Sequence, residues 1–276
     1  MLEPSIVKDE EVEHLIKDVY ELYGYDFSMY SRASFKRRVN RICLIDKFTS
    51  FAELRYTVLN DPDYLKHFIE EITVNVTEMF RDPYFFKALR ENILPQLGTY
   101  PLIRIWVAGC STGEEAYSMA ILLKEAGLYQ KSLIYATDIN PSVLETARAG
   151  VFPLQQMKLY SENYILSGGK KDFSDYYTAN YDSAMFDSSL KQKLILSTHN
   201  LVSDSSFNSF QLIICRNVLI YFDKALQERV FQLFDDSLEN LGYLALGSKE
   251  TLRFSNLNRY YHQADDQRIW KKVDHH

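Results

Sequence analysis

Two adjacent carboxylates, Glu114 and Glu115, open a predicted helix directly after a loop of small residues, 109–113. A short apolar run before Gly109 predicts a strand. The pattern of strand, tight loop and helix is typical of a nucleotide-like ligand site beside a parallel sheet. Acidic side chains suit the positive end of a helix but would repel a phosphate there. The loop therefore favours a ligand with a cationic amine over a diphosphate, although a purely structural glycine turn remains an alternative.

A further acidic residue follows the next apolar run. Asp138 ends the run 133–138 and lies 25 positions after Gly113. A carboxylate at the tip of a second strand can accept hydrogen bonds from both ribose hydroxyls of an adenosine. Asp138 could instead be a turn or capping residue, because Asn140 and Pro141 begin the next predicted helix. The glycine loop upstream makes the ligand interpretation the favoured one.

Composition and charge limit the class of function. The chain has 276 residues, 46% of them hydrophobic, and a formal net charge of −6. That length suits one large domain, or an α/β domain with a smaller companion. An acidic chain argues against broad nucleic-acid binding, so we expect no nucleic-acid partner.

The sequence indicates neither a membrane protein nor a metalloenzyme. No apolar run approaches the ~18 residues that span a bilayer, and no signal peptide opens the chain. Cys43, Cys110 and Cys215 lie far apart, and there is no HExxH motif or His/Cys cluster. We therefore expect a cytoplasmic enzyme with reduced thiols, no metal and no membrane insertion.

The N-terminal region carries helical periodicity, and the second of its predicted helices is strongly basic. Five basic side chains cover much of that helix: Arg32, Lys36, Arg37, Arg38 and Arg41. A charge run on a helix is usually a solvated face, and some of these side chains could pair with acidic neighbours. In an acidic chain, the same concentration of charge could instead bind an acidic partner. Both interpretations stay open.

The segment 72–83 alternates apolar and polar residues, as an edge strand would. Its polar members Thr73, Asn75 and Thr77 would share one face, and Arg81 follows them. The segment could be a simple linker. Hydroxyl, amide and guanidinium groups that point one way can also bind a carboxylate and polar ligand atoms together.

Four motifs, in this order, resemble those of the CheR family of chemoreceptor glutamate methyltransferases. They are Thr73-Val-Asn-Val-Thr-Glu-Met-Phe-Arg81, Cys110-Ser-Thr-Gly-Glu-Glu-Ala-Tyr-Ser118, Ala136-Thr-Asp-Ile-Asn140 with Ala147-Arg-Ala-Gly150, and Cys215-Arg-Asn-Val-Leu-Ile-Tyr-Phe-Asp223. Three of the family patterns read T-x-N-x-T-x-F-F-R, C-S-T-G-E-E-P-Y-S and C-R-N-V-x-I-Y-F-D. Here Met79 and Ala116 replace an aromatic residue and a proline, and 247–250 reads G-S-K-E where many members have G-H-S-E.

The resemblance implies an α/β fold. A small all-helical domain would precede a doubly wound, Rossmann-like methyltransferase domain with a small antiparallel β-subdomain. We place the helical domain at 1–74, the methyltransferase domain at 75–276 and the inserted β-subdomain at about 152–187. That insert is rich in Tyr and shows neither helix nor core-strand periodicity. Further strands of the main sheet are expected at 193–200, 211–217, 242–247 and 268–273.

The resemblance also implies a cofactor, S-adenosylmethionine, and roles for individual residues. Asp138 would hold the ribose hydroxyls. Glu114 or Glu115 would bind the methionine amino group, with Glu115 preferred because one of the two should face outward. The candidate catalytic residues are Arg81, near the methionine carboxylate or the incoming glutamate, and Tyr221, near the reacting centre. Arg81 would also contact the cofactor, as would Asn75, Thr77, Gly109, Asn200, Leu201, Asn217 and Val218.

The implied reaction is methyl transfer to glutamate side chains on the cytoplasmic domain of methyl-accepting chemotaxis receptors, carried out by a monomer in chemotactic adaptation. The basic helix would then bind the receptor. An ionised carboxylate needs positioning and no general base, which fits a sequence without a Ser/His/Asp or Cys/His constellation. Two alternatives are a regulatory or interaction module that binds S-adenosylmethionine, and a methyltransferase that acts on a non-receptor protein.

Overall fold

The computed structural model describes residues 7–73 and 77–273, in which helices precede the first strand and strands and helices intermix after it. The helices are α1 (Asp9–Tyr23), α2 (Arg32–Ile45), α3 (Phe51–Asn60), α4 (Pro62–Thr73), α5 (Pro83–Ala88), α6 (Leu94–Leu97), α7 (Glu114–Glu125), α8 (Pro141–Ala149), α9 (Met157–Leu166) and α10 (Lys224–Ser237). The strands are β1 (Ile103–Ala108), β2 (Ser132–Asp138), β3 (Val151–Pro153), β4 (Tyr177–Asn180), β5 (Ser183–Phe186), β6 (Leu194–Thr198), β7 (Phe210–Cys215), β8 (Leu238–Leu246), β9 (Tyr261–Asp265) and β10 (Ile269–Lys272). They form two units. The helical unit is Met1–Asn75 with Ile220–Val230, and the sheet unit is Val76–Leu219 with Phe231–His276.

The helical unit buries the apolar stripes of α1 to α4 in one core. Leu15, Phe35, Leu54 and Phe68 each contribute a fully buried side chain from a different helix. Helix α1 ends at Gly24, whose φ of 78° is a left-handed conformation that glycine adopts without strain. The helical periodicity predicted for the N-terminal region is therefore confirmed.

A segment distant in sequence completes the helical unit. Residues 29–31 and 221–223 run antiparallel to each other, with Ser31 N donating to Tyr221 O at 2.9 Å and Asp223 N donating to Met29 O at 3.2 Å. The predicted boundary at 74 did not include this segment. Apolar periodicity cannot reveal it, because the contact joins residues that lie almost two hundred positions apart.

The sheet unit contains a seven-stranded sheet in the order β6-β2-β1-β7-β8-β10-β9. The first five of these strands are parallel to their neighbours, and β10 pairs antiparallel with β8 and with β9. Every residue of β7 is buried, as expected for a parallel strand covered on both faces. The doubly wound sheet and its predicted strands are confirmed. The half-buried strand β9 was not predicted.

Helix α7 lies inside the sheet unit rather than on its surface. All its residues from Glu114 to Leu123 are buried, including the two carboxylates at its start. Next to it in sequence, β1 carries the fully buried Trp106, whose Nε1 donates to Thr137 Oγ1 at 2.8 Å. The strand–loop–helix pattern at 103–125 is confirmed.

The inserted segment contains the expected small antiparallel sheet, in the order β3-β5-β4. It also contains α9, so the expectation that this segment lacks a helix is wrong. Tyr160 and Tyr164 give α9 a buried aromatic face, while Ile165 and Leu166 remain exposed. Apolar residues on both faces obscure the helical period, and this is why the pattern escaped prediction.

The segment 72–83 is not an edge strand in its described part. Ile72 and Thr73 complete α4, and residues 77–82 form a loop and a turn. Residues 74–76, which include Asn75, lie outside the described residues. Two non-glycine residues of the turn have left-handed backbones, Phe80 with φ 53° and Asp82 with φ 56°. Such conformations are unfavourable for L-residues, so neighbouring contacts must hold the turn in place.

Candidate functional site

Within the sheet unit, polar residues gather where the parallel strands β6, β2, β1 and β7 end. Strand order reverses between β1 and β7, and ligands of doubly wound sheets bind at such a switch point. Gly109 N and Cys110 N both donate to Thr137 O, at 2.8 and 2.9 Å, and join the tips of β1 and β2. His199 N donates to Asp138 O at 3.1 Å and joins the tips of β2 and β6.

The glycine loop requires its glycines. Gly109 has φ 75°, and a Cβ atom there would lie 2.4 Å from Val218 Cγ2, so the loop after β1 packs directly against the loop after β7. Gly113 has φ 99°, and a Cβ atom there would lie 2.8 Å from Ala147 Cβ. Any side chain at either position would force neighbouring groups apart.

Asp138 is buried and faces the glycine loop. Its Oδ2 accepts a hydrogen bond from Ser111 N at 2.8 Å, and its Oδ1 accepts one from Asn140 N at 3.0 Å. Burial raises the pKa of the Asp138 carboxyl above its ordinary value, and these backbone donors oppose the rise. The Ser111 hydroxyl beside it is also buried and has no hydrogen-bond partner among the described residues.

The two carboxylates of α7 have different surroundings. The expectation that one of them faces outward is wrong, because Glu114 is 5% and Glu115 9% exposed. Glu115 pairs with Arg216, with Oε1 2.7 Å from Nη1. Glu114 accepts hydrogen bonds from Thr112 Oγ1 at 2.6 Å and from Tyr160 Oη at 3.3 Å.

No ion pair of Glu114 is found in the described part of the chain. Burial raises the pKa of Glu114 to about 7. The Thr112 and Tyr160 hydroxyls stabilise the ionised form but do not offset the loss of water. Of the two carboxylates at the start of α7, Glu114 is therefore the one without a described ion pair, and the sequence-based preference for Glu115 loses its premise.

Glu250 holds the loop after β7. Its buried carboxylate accepts hydrogen bonds from four backbone N–H groups, those of Asn217, Val218, Leu219 and Gly247, at 2.7 to 3.0 Å. Asn217 has φ 61°, and these contacts hold its left-handed backbone. Burial raises the pKa of Glu250, and the four donors oppose that rise.

The loop after β6 places Asn200 and Leu201 at the same edge of the sheet. Asn200 Oδ1 accepts from Val202 N at 2.9 Å, which shapes the loop, and Leu201 is 8% exposed. His199 beside them is buried, and its Nδ1 has no hydrogen-bond partner among the described residues. These positions fit the predicted adenine side of the pocket, which stays a prediction.

The remaining predicted site residues are Arg81, Thr77, Asn75 and Tyr221. Arg81 is half-buried in the turn after Thr77, and its carbonyl accepts from Arg216 Nη2 at 3.0 Å. Thr77 is half-buried and precedes that turn, and Asn75 lies outside the described residues. Tyr221 belongs to the helical unit, where the guanidinium of Arg38 lies 4.6 Å from its ring centre. Its predicted place near the reacting centre stays a prediction.

The basic helix α2 is partly neutralised within the helical unit. Three of its basic residues pair with acidic side chains: Arg32 with Glu13, Lys36 with Asp9 at 2.6 Å, and Arg41 with Glu71 at 3.5 Å. Arg38 donates to the Glu71 carbonyl and lies on the Tyr221 ring, while Arg37 is exposed. The expectation that some of these residues pair internally is confirmed.

The described ranges contain neither a candidate metal site nor a candidate membrane span. There, no group of three or more His, Cys, Asp or Glu side chains is placed to hold a metal ion. In the same residues, no helix is long and apolar enough to cross a membrane.

Family models match almost the whole chain. The all-alpha domain of CheR methyltransferases matches residues 10–73, and their S-adenosylmethionine-binding domain matches residues 75–269. The chain belongs to the CheR methyltransferase family. It therefore binds S-adenosylmethionine and is a methyltransferase that depends on it.

Curated relatives agree with this assignment. The "Putative methyltransferase Cher3" of Pseudomonas putida is 47% identical over 96% of this chain and 97% of its own. The "Chemotaxis protein methyltransferase" of Listeria monocytogenes is 30% identical over 83% of this chain and 85% of its own. The protein of the same name from Salmonella typhimurium is 30% identical over 95% of this chain and 90% of its own.

A solved glycopeptide N-methyltransferase, complexed with sinefungin, matches 62% of this chain and 50% of its own at 13% sequence identity. Its TM-score is 0.37, which is too low for any argument from that structure.

The residues present fit S-adenosylmethionine. The Asp138 carboxylate and the unpartnered Ser111 hydroxyl, both buried, suit a ligand with sugar hydroxyls. The raised pKa of Glu114 marks a place where an ammonium group would stabilise the charged form. The close contact of Gly109 with Val218 brings the loops after β1 and β7 to one pocket edge.

Sequence reasoning missed two charged residues of this site. Arg216 and Glu250 both belong to motifs visible in the sequence, one in C-R-N and one in G-S-K-E. A charged residue directly after an apolar strand was the available indication for Arg216. Its partner Glu115 lies 101 positions away, so no spacing argument could find the pair.

Proposed function

We propose that this protein transfers the methyl group of S-adenosylmethionine to glutamate side chains of chemoreceptors and forms glutamyl methyl esters. The observation that supports this most is the joint match of both CheR domains, in order, over 10–73 and 75–269. Two relatives named as chemotaxis protein methyltransferases match 83% and 95% of this chain. A cytoplasmic location and a cytoplasmic receptor domain as partner belong to the same proposal.

The reaction requires positioning more than acid–base chemistry. When bound, S-adenosylmethionine supplies an electrophilic methyl group on a sulfonium. A glutamate carboxylate is already ionised at neutral pH, so an oxygen can attack the methyl carbon while the carbon–sulfur bond breaks and its electron pair stays on sulfur. The work of the chain is then to align oxygen, carbon and sulfur and to exclude water from the carboxylate.

Individual residues divide this work. Asp138 would accept the ribose hydroxyls, and Glu114 would bind the methionine ammonium, with Glu115 held beside it by Arg216. Arg81 would bind the methionine carboxylate or guide the glutamate. The other proposed cofactor contacts are Asn75, Thr77, Gly109, Asn200, Leu201, Asn217 and Val218, and Tyr221 would lie near the reacting carboxylate.

Helix α2 is the proposed receptor-docking face. Receptor methylation regions carry target glutamates and therefore present negative charge. The pairings within the helical unit reduce the charge that Arg32, Lys36 and Arg41 can offer. Arg37 is exposed, so we expect it to contribute most to docking among the basic residues of α2.

A methyl-transfer assay tests the proposal. Purified protein would be mixed with radiolabelled S-adenosylmethionine and a receptor cytoplasmic fragment, and the labelled fragment would then be treated with base. Methyl esters release labelled methanol under base, whereas N-methyl groups do not. We expect base-labile label on the fragment, and none when its target glutamates are changed to alanine.

Two outcomes would contradict the proposal. Base-stable label would indicate a different acceptor atom. A complete lack of transfer, with normal binding of S-adenosylhomocysteine by calorimetry, would favour the alternative of a binding module or a non-receptor substrate.

A further inference from the structure

Arg216 is the most enclosed cation of the sheet unit's pocket edge. Its side chain is 3% exposed, and its guanidinium carbon lies 4.2 Å from the centre of the Phe85 ring. It follows β7 directly and so starts from a rigid, fully buried strand. A cation in such a place is stable only if several acceptors surround it.

Arg216 has acceptors in two different elements. Nη1 donates to Glu115 Oε1 at 2.7 Å, at the start of α7. Nη2 donates to the carbonyl of Arg81 at 3.0 Å and to Asp82 Oδ2 at 2.5 Å. The guanidinium of Arg216 therefore links the turn that contains Arg81 to helix α7, which begins with Glu114 and Glu115.

The turn needs this support because its backbone is unfavourable without it. Phe80 and Asp82, on either side of Arg81, both have positive φ angles. Phe80 is held from the other side, where its N–H donates to Ser118 Oγ at 2.9 Å and its ring is fully buried. On the Arg81 side of the turn, Arg216 donates to the Arg81 carbonyl and to the Asp82 carboxylate, and the Asp82 carbonyl accepts from Phe85 N at 2.8 Å. Arg216 thus helps to hold the backbone from which the Arg81 side chain extends.

We propose that Arg216 is a positioning residue for cofactor binding. It acts through Arg81, whose backbone carbonyl accepts a hydrogen bond from Arg216 Nη2. The proposal rests on the role given to Arg81 under the proposed function. It does not depend on which protein is methylated, because its test measures binding alone.

The test is a double-variant cycle read by calorimetry with S-adenosylhomocysteine. Arg216→Lys keeps the charge but loses the planar fork, so it cannot reach Glu115, the Arg81 carbonyl and Asp82 together. We expect Arg81→Ala to weaken binding about tenfold or more and Arg216→Lys to weaken it about fivefold. If Arg216 acts through Arg81, the variant with both changes binds no more weakly than Arg81→Ala alone.

Arg104→Lys is the matched control. Arg104 also pairs with a carboxylate, Glu239, and donates to a backbone carbonyl, that of Ser209, but it stands near the opposite end of β1. It should leave S-adenosylhomocysteine binding unchanged. A melting temperature for each variant separates loss of folding from loss of binding. Should Arg216→Lys not fold, Asp82→Asn loosens the same turn from a more exposed position, and about twofold weaker binding is expected.

Three outcomes would overturn the proposal. Additive losses in the double variant would mean that Arg216 acts independently of Arg81. Wild-type affinity in folded Arg216→Lys would reduce Arg216 to a residue of the core. Wild-type affinity in Arg81→Ala would show that Arg81 does not bind the cofactor, and Arg216 could then not act through it. The proposed methyl transfer to receptors would not be affected by that result, because the methyl-transfer assay tests it separately.

Discussion

The pocket of the sheet unit and the basic helix of the helical unit use charge in opposite ways. Asp138, Glu114 and Glu250 are buried carboxylates whose partners are backbone N–H groups and hydroxyls. On α2, the charges sit at or near the surface and pair with carboxylates across helices, as Arg41 does with Glu71. Removing a buried hydrogen-bond partner costs more free energy, because no water molecule replaces it. Ion pairs at the surface contribute little to stability and are screened by salt.

The largest effect should come from removing the carboxylate at the tip of β2. Asp138→Ala should weaken S-adenosylmethionine and S-adenosylhomocysteine alike, since both carry the same ribose. Loss of a charge-assisted contact in a buried site costs about 1.5–3 kcal/mol, or roughly 10- to 150-fold in affinity. Calorimetry with both ligands measures this. Unchanged affinity for either ligand would remove Asp138 from the site.

Glu250→Gln should show that a buried carboxylate of the pocket edge stabilises the fold. An amide has one oxygen where the carboxylate has two, so some of the four backbone donors lose their acceptor. Each buried donor left without a partner costs about 1–3 kcal/mol, so we expect a melting temperature lower by several degrees. Glu145→Gln is the control, because that side chain is 75% exposed in a surface pair with Arg148. Equal melting temperatures for the two variants would contradict this reading of Glu250.

Glu114 should make cofactor binding depend on pH. Burial raises its pKa to about 7, so in the folded protein it gains negative charge as the pH rises from 6 to 7.5. Affinity for S-adenosylhomocysteine, which carries the ammonium, should rise about five- to tenfold over that range. The stability of the ligand-free protein should change the other way. A folded pKa above the ordinary value of about 4.5 favours the protonated form, so this contribution is present at low pH and is lost as the pH rises through 7.

Two controls isolate the role of Glu114. Adenosine lacks the amino-acid part of S-adenosylhomocysteine and therefore its ammonium group, so adenosine binding should not follow the titration of Glu114. Glu114→Gln should abolish the pH dependence of S-adenosylhomocysteine binding. If the dependence persists in that variant, another group titrates and Glu114 is not the ammonium site.

The smallest effect is expected on the basic helix. Arg37→Glu should slow receptor methylation a few-fold and leave cofactor affinity intact, because one exposed charge contributes little at physiological salt. Lys66→Glu is the control, since it makes the same charge change at an exposed position of α4. The wild-type rate should also fall as salt rises. Equal rates for the two variants, together with a salt-insensitive wild type, would make α2 a solvated face.

The sequence predicted the scaffold of both regions because their elements follow local rules. Helical periodicity indicated the N-terminal helices, short apolar runs indicated β1 and β2, and the family resemblance indicated β7. The sequence also placed Asp138 at a strand end and the glycine loop before a helix, since both are local features. The insert was harder, because Tyr160 and Tyr164 on one side and Ile165 on the other make α9 apolar on two faces.

What escaped prediction depends on contacts between distant residues. The preference for Glu115 assumed that one carboxylate of α7 would face water, but α7 is a buried helix and Arg216 neutralises Glu115 from another strand. Likewise, the alternation at 72–81 suggested a strand, yet the turn at Phe80 is set by Ser118 and Arg216. Neither contact leaves a pattern in the linear chain.

The placement of Trp106 has a consequence for spectroscopy. The chain has two tryptophans, Trp106 and Trp270, and both are buried in the sheet unit. Tryptophan fluorescence therefore reports on that unit alone, while far-ultraviolet circular dichroism also reports the helices of the other unit. A denaturant titration followed by both signals would show whether the units unfold together: coincident curves mean one cooperative transition, and an early loss of helical signal with unshifted emission means that α1 to α4 melt first.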